Sequence, residues 1–386
     1  MKCISALSTA RNTEAALASL LERAARDMAG EPADLALVFT SEHHAGALDR
    51  IAREVRLKGL GRHILGCTGE SIVGEDREVE GSAALSLWAI RLPGVELQPR
   101  RLTFDGGGFP EWSDAPATGK TASVLLLGDP FTFPADQFLK QVNETSAGLR
   151  VVGGMASGGP APGLNRLVLD GAVFEDGAVA MVVDGPLTLR TIVSQGCRPI
   201  GRPMIVTKVD RNIIRELGRR PALEVLREVF EGLPEDEQAR VQQGLHVGRV
   251  INEYQERFGR GDFLIRNVLG ADEAGGIAIS DFVRVGQTVQ FHVRDAETAD
   301  EDLHGLLQAE RRERPEARLR GALLFSCNGR GSRLFPEPNH DVGLIRQVLG
   351  PLPVAGLFAM GEIGPVGGQN FLHGFTASIV LFEEPS

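Results

Sequence analysis

The sequence predicts an α+β fold in which repeated β-α-β-β units form packed mixed sheets with helices outside. Three observations predict it. One order of elements occurs three times: an apolar run, a helical stretch, a second apolar run entering a Gly-rich turn, then further strands. The second runs share two aliphatics and a glycine, Ile64-Leu65-Gly66, Val151-Val152-Gly153 and Val354-Ala355-Gly356. The first run of each unit is short and apolar on both faces, as a strand is when its sheet is covered on both sides.

In the first copy, Leu17, Leu20, Leu21 and Ala24 mark one side of a helix over residues 13–28. A buried strand over 35–40 follows, then a helix over 45–57 carried by Leu48, Ile51 and Val55. Residues 63–73 pass through Gly66-Cys67-Thr68-Gly69-Glu70, and 82–91 form a further strand. A Gly/Pro/polar linker over 104–121 leads to the second copy, with its strand at 123–127 and its helix at 135–142. The Gly turn near 153–159 follows, then strands over 166–174 and 178–183. In the middle region, 187–195 and 203–209 read as strands and 212–231 as one or two helices broken near Gly218. Strands follow over 246–254, 263–269, 276–283 and 288–294, then a helix over 299–312. The third copy pairs a strand over 322–326 with a helix whose face is Val342, Ile345, Val348 and Leu349, capped by Asn339 or Asp341 and stopped by Gly350-Pro351.

A chain of 386 residues is long enough for two or three domains, and the boundary between halves is expected near residue 190, giving modules 1–190 and 191–386. At 42% hydrophobic and 24% charged it can bury a core. The net charge of −10 argues against nucleic acid or an anionic membrane as partner, because phosphate binding needs clustered cations. Cys3, Cys67, Cys197 and Cys327 lie far apart, which fits neither a disulfide framework nor a zinc site and suits a reducing cytoplasm. With no secretory h-region and no apolar run of membrane length, a soluble cytoplasmic protein is expected.

Several motifs bear on chemistry. Gly119-Lys120-Thr121 ends like a phosphate-binding loop but precedes a strand and lacks the first glycine. His43-His44 has no carboxylate or Cys at ligand spacing, so surface histidines are expected and no metal. Cys327 is a candidate nucleophile with His340 or His373 as base and Asn328 as orienter, against a small buried side chain at a strand end. Arg266-Asn267 and Arg294-Asp295 close apolar runs and could grip a carboxylate or tie loops together. Glu362, beside Gly361, could hold an ammonium group or be satisfied by loop amides.

Taken in order, Gly66-Cys67-Thr68-Gly69-Glu70, Ser194-Gln195-Gly196-Cys197, Phe263-Leu264-Ile265-Arg266-Asn267, Val293-Arg294-Asp295, Ser326-Cys327-Asn328-Gly329-Arg330 and Gly361-Glu362-Ile363-Gly364-Pro365 resemble the FIST family, a two-part sensory module. The resemblance implies FIST N and FIST C halves and a cytoplasmic sensor of small, amino-acid-like ligands. No room remains for an output segment, so a separate signalling protein is the expected partner. The expected ligand contacts are Arg266, Asn267, Arg294, Asp295, Cys327, Asn328, Arg330, Gly361 and Glu362, with arginines on a carboxylate and Glu362 on an amine. No cofactor is expected. The alternatives are an amide- or acyl-directed enzyme using Cys327, and a haem-based gas sensor, since some proteins of this architecture bind haem.

Overall fold

Three parallel strand pairs organise most of the chain. The computed structural model describes residues 1–113, 122–255, 257–259 and 261–385, so Gly119-Lys120-Thr121 lies outside the described residues. The first repeat runs β1 (Lys2–Ser8), α1 (Thr13–Met28), β2 (Leu35–Thr40), α2 (Leu48–Leu57), β3 (His63–Thr68), β4 (Ile72–Gly74), β5 (Arg77–Val79) and β6 (Leu85–Arg91). The second has the same order: β7 (Glu96–Leu102), α3 (Pro110–Ser113), β8 (Ser123–Gly128), α4 (Ala135–Thr145), β9 (Arg150–Met155), β10 (Leu167–Leu169), β11 (Ala172–Phe174) and β12 (Ala178–Asp184).

The third repeat opens with β13 (Thr188–Ser194) and is then interrupted. The interruption holds β14 (Arg198–Asp210), β15 (Ile213–Leu217), β16 (Arg220–Pro221), α5 (Ala222–Glu231), α6 (Glu235–Gln243), β17 (Leu245–Val250), β18 (Phe263–Ala271), β19 (Ile277–Ile279) and β20 (Thr288–Val293). After α7 (Ala296–Glu313) the repeat resumes as β21 (Arg318–Cys327), α8 (His340–Leu349), β22 (Val354–Ala359), β23 (Glu362–Val366), β24 (Gln369–His373) and β25 (Ala377–Glu384). By its contacts the chain divides into Met1–Val193 with His304–Ser386, and Ser194–Leu303. The first is here called the repeat unit and the second the inserted unit.

The repeat unit contains three six-stranded sheets of one plan: β1-β6-β2-β3-β10-β11, β7-β12-β8-β9-β23-β24 and β13-β25-β21-β22-β4-β5. In each, the two central strands run parallel and are joined by a helix. The last two strands of each sheet come from another repeat. The β4–β5 hairpin of the first repeat lies on β22, the β10–β11 hairpin of the second on β3, and β23–β24 of the third on β9. Each repeat therefore gives a hairpin to one neighbour and takes one from the other, which no repeat could do alone.

The shared glycine has one cause in all three copies. Gly66, Gly153 and Gly356 stand in register with Val38, Leu126 and Leu324 on the parallel partner strand. A Cβ at these glycines would lie 2.2, 1.9 and 1.8 Å from the carbonyl oxygens of those partners. No side chain fits such an approach.

Both faces of these sheets are covered. Leu37, Phe39, Leu125, Leu127, Leu323 and Phe325 point from the three sheets into one central core. Alternate residues such as Val38, together with Leu17, Leu20, Ile51 and Val55, form the layer beneath α1 and α2. The same layer forms under α4 from Val124, Leu126, Phe138 and Val142. Cys67 lies wholly within the central core, where burial pushes its thiol up.

In the inserted unit the pairings are antiparallel, and β14 pairs with both β20 and β15, so six strands close on themselves around Ile200, Val206, Ile214, Val247, Ile277 and Phe291. Residues 213–217 were expected to be helical and are strand β15 instead. Two adjacent isoleucines favour the pleated conformation, and pairing with β14 and β19 satisfies their backbone.

Strands β1 and β7 carry no expectation from the sequence, because their mixed polar and apolar residues hide the period. His44 is buried, with Nδ1 bonded to Thr13 Oγ1 at 2.9 Å, whereas a surface position was expected for it. Among the described residues, no helix is long and apolar enough to cross a membrane.

Candidate functional site

Where the repeats exchange hairpins, their second strands end side by side. The N–H of Ser157 donates to Thr68 O at 3.1 Å, Phe358 N–H to Ser71 O at 2.9 Å, and Met360 N–H to Met155 O at 3.1 Å. Beyond these bonds the chains must diverge, because each hairpin leaves for a different sheet. The divergence opens a cleft of about 390 Å³.

Its walls are Glu42 and His43 after β2, Glu70 after β3, Ser157 and Gly158 after β9, and Met360 after β22. Ser82, in the loop before β6, stands at the exposed side. The Ser157 hydroxyl accepts from Glu70 N–H at 2.9 Å and donates to Phe358 O, fixing two walls together. Gly158 is required by packing, since a Cβ there would lie 2.5 Å from Thr68 Cβ. At the rim the Glu70 carboxylate pairs with Arg333, whose Nη1 also donates to Asn328 O at 2.8 Å.

Of the residues nominated from sequence, Cys327, Asn328, Arg330, Gly361 and Glu362 lie in the repeat unit, and Arg266, Asn267, Arg294 and Asp295 in the inserted unit. Cys327 ends β21, half-buried, and its Sγ accepts from Gly329 N–H at 3.5 Å. Its own N–H donates to Thr376 O, while Thr376 N–H donates to Glu362 Oε2 at 3.0 Å, so one backbone residue brings Cys327 and Glu362 together. Glu362 is fully buried, and Gly361 O accepts from Met155 N–H at 2.8 Å. Asn328 N–H donates to Ala359 O, and through Arg333 this loop reaches Glu70.

Arg330 is also fully buried. Its Nε and Nη2 each donate to an Asp341 carboxylate oxygen at 2.7 Å, and Ser326 Oγ donates to the same carboxylate at 2.8 Å. Burial alone would raise the Asp341 carboxyl, but the Arg330 charge and its two hydrogen bonds outweigh that and hold it well below the usual range. Glu78 completes the group. Burial, reinforced by the Asp341 charge, pushes its carboxyl up to about 8. Its Oε1 accepts from Val342 N–H at 2.8 Å, so Glu78 caps α8 from another repeat, while of the two expected caps Asn339 accepts from Glu78 N–H and Asp341 holds Arg330. His340 bonds to Asp341 and stacks on Phe335, and His373 Nε2 shares a hydrogen bond with Gly364 O at 2.9 Å.

In the inserted unit, Arg266 Nε donates to Asp281 at 2.9 Å, and the Asn267 backbone pairs with Ser280. Arg294 N–H donates to Gly244 O at 3.3 Å. Asp295 caps α7 by accepting from Thr298 N–H at 2.7 Å and pairs with Arg240. Two histidines on neighbouring strands, His246 and His292, are buried here, and burial lowers both to about 4. No cluster of three or more His, Cys, Asp or Glu suited to a metal occurs among the described residues.

Sequence reasoning did not nominate Glu42, Ser157 or Arg333, and it noted Glu70 only as part of a motif. The available signal was their position: each acidic or hydroxyl residue directly follows an apolar run or its Gly turn.

Family models match residues 34–220 as a FIST N domain and 222–365 as a FIST C domain. An uncharacterised protein of Mycobacterium tuberculosis is 41% identical over 383 residues, covering 97% of this chain and 98% of the relative. Another, from Mycobacterium bovis, is 43% identical over 366 residues, 93% of each chain. FIST domains are generally taken as sensory, signal-transduction domains. This chain, with both domains matched in succession, belongs to the FIST family.

Proposed function

We propose that this chain is a cytoplasmic sensor that binds a small, amino-acid-like ligand in the strand-end cleft of the repeat unit and passes its state to a separate signalling protein. The observation that carries this reading is the cleft's position. It lies at the carboxyl ends of parallel strands, where α/β sheets receive ligands, and its size of about 390 Å³ suits a small molecule. Cys327, Asn328, Arg330, Gly361 and Glu362 then act beneath and beside the cleft, holding the loops that shape it. Arg266, Asn267, Arg294 and Asp295 are a separate proposal, for contacts made by the inserted unit.

Ser82 is exposed, so a large side chain there can plug the cleft without disturbing the core. Thermal-shift screening of the twenty amino acids should show stabilisation of the wild type by at least one of them. The Ser82→Trp variant should keep the wild-type melting temperature without ligand and lose that stabilisation. Equal shifts in both proteins would place the ligand elsewhere.

A further inference from the structure

The cleft carries a charge pattern that narrows its ligand, and this step rests on the reading of the cleft as the ligand site. Two of its walls bear carboxylates, Glu42 and Glu70, and its lining contains no Arg or Lys. Among the described residues Glu42 pairs with no cation. The two carboxylates outnumber the one cation that reaches them, so the field inside favours positive charge. The cation already present is Arg333, reaching in from the rim to Glu70. That pair is exposed, with 57% of the Arg333 and 37% of the Glu70 side chain open to solvent, and an ion pair so placed is weak and readily exchanged. Met360, 39% exposed, offers an apolar surface beside the carboxylates.

We propose that the cleft selects a small organic cation, an amine or guanidinium on a short aliphatic chain, which takes the place of Arg333 on Glu70. Arg333 also holds Asn328 O, so its displacement loosens the loop after β21. Occupancy of the cleft is thereby coupled to the segment that carries Cys327, Asn328 and Arg330.

Calorimetric titration of the full chain with agmatine, L-arginine, L-leucine and L-glutamate tests the assignment. Agmatine or L-arginine should bind, and L-glutamate should not. Glu70→Gln should weaken the cationic probes about fivefold, the upper end for an ion pair open to solvent. Arg333→Gln, which removes the internal competitor, should strengthen them about threefold. Faster amide exchange across residues 328–333 on saturation should accompany binding. Preference for L-glutamate or L-leucine, abolished by Ser82→Trp, would overturn the cation assignment and leave the cleft standing. No binding of either cation up to about 10 mM would overturn the assignment as well. Cation binding unaffected by both Ser82→Trp and Glu70→Gln would remove the cleft too.

Discussion

Arg330–Asp341 in the repeat unit and Arg266–Asp281 in the inserted unit are the same chemistry in two settings. The first pair is 0% and 1% exposed, two-pronged, and supported by Ser326. The second is 13% and 23% exposed, and its carboxylate is also reached by Arg249. Burial decides what each contributes. In water a lost partner is replaced by solvent, whereas in a core the remaining charge has nothing to answer it. The buried groups that titrate also differ between the units: a carboxylate is pushed up beside one lowered imidazole, His44, in the repeat unit, and two imidazoles are pushed down in the inserted unit.

The largest expected effect follows from the buried pair. Asp341→Asn removes the carboxylate that holds Arg330 by two hydrogen bonds and should lower the stability of the repeat unit by about 3–5 kcal/mol. Trp88 and Trp112 both lie in that unit, so tryptophan fluorescence during urea unfolding reports it directly. A loss below about 1 kcal/mol would erase the contrast with Arg266–Asp281.

Acid should act next, and on the inserted unit. The folded values of His246 and His292, about 4, lie below their ordinary 6.5, so the unfolded chain takes up protons first. Their contribution is fully present above pH 6.5 and is lost as pH falls through about 4, on the order of 3 kcal/mol per imidazole. Pulse proteolysis in urea at pH 7.5 and 5, read on peptides from β17 and β20, should register about 2 kcal/mol of it per imidazole. His292→Gln should flatten the profile.

Glu78 has the opposite sign. Its folded value, about 8, lies above its ordinary 4.5, so its contribution is complete below pH 4.5 and is lost as pH rises through about 8. Between pH 5 and 7 this should cost the repeat unit about 2 kcal/mol, a share that Glu78→Gln removes while the opposite slope from His44, lowered by burial, stays. If both units weaken on acidification over that range, the opposition between them is false.

The smallest effect is expected at the half-buried pair. Asp281→Asn should change the stability of the inserted unit by less than about 1 kcal/mol in the same proteolysis assay, and a larger loss would show that Arg266 depends on it as Arg330 depends on Asp341.

Much of the architecture was legible beforehand. The repeat was visible because each copy must place an apolar strand, a helix and a close-approach glycine at the same spacing. Helix faces such as Leu17, Leu20, Leu21 and Ala24, or Val342, Ile345 and Val348, follow from period alone and are buried as expected, with Leu349 of the latter face half-buried. Residues 213–217 misled because five residues beside a glycine carry too little period to separate strand from helix. At the site, the Gly turns pointed to the right strand ends, but the side chains around the cleft come from all three repeats and no local pattern relates them. The fate of Arg330 was equally hidden: a guanidinium after a strand looks the same whether it meets solvent or an aspartate eleven positions on.

The sequence by itself determined the three copies, the central strands and helices of each, and the glycines that let parallel strands approach, because these obey local spacing and sterics. Only the tertiary structure decided which sheet each hairpin joins, where the inserted unit interrupts the third copy, and which charges are buried or open to the cleft. Those outcomes depend on contacts between residues far apart in the chain, and burial, which sets the strength of every charge interaction here, exists only once those contacts form.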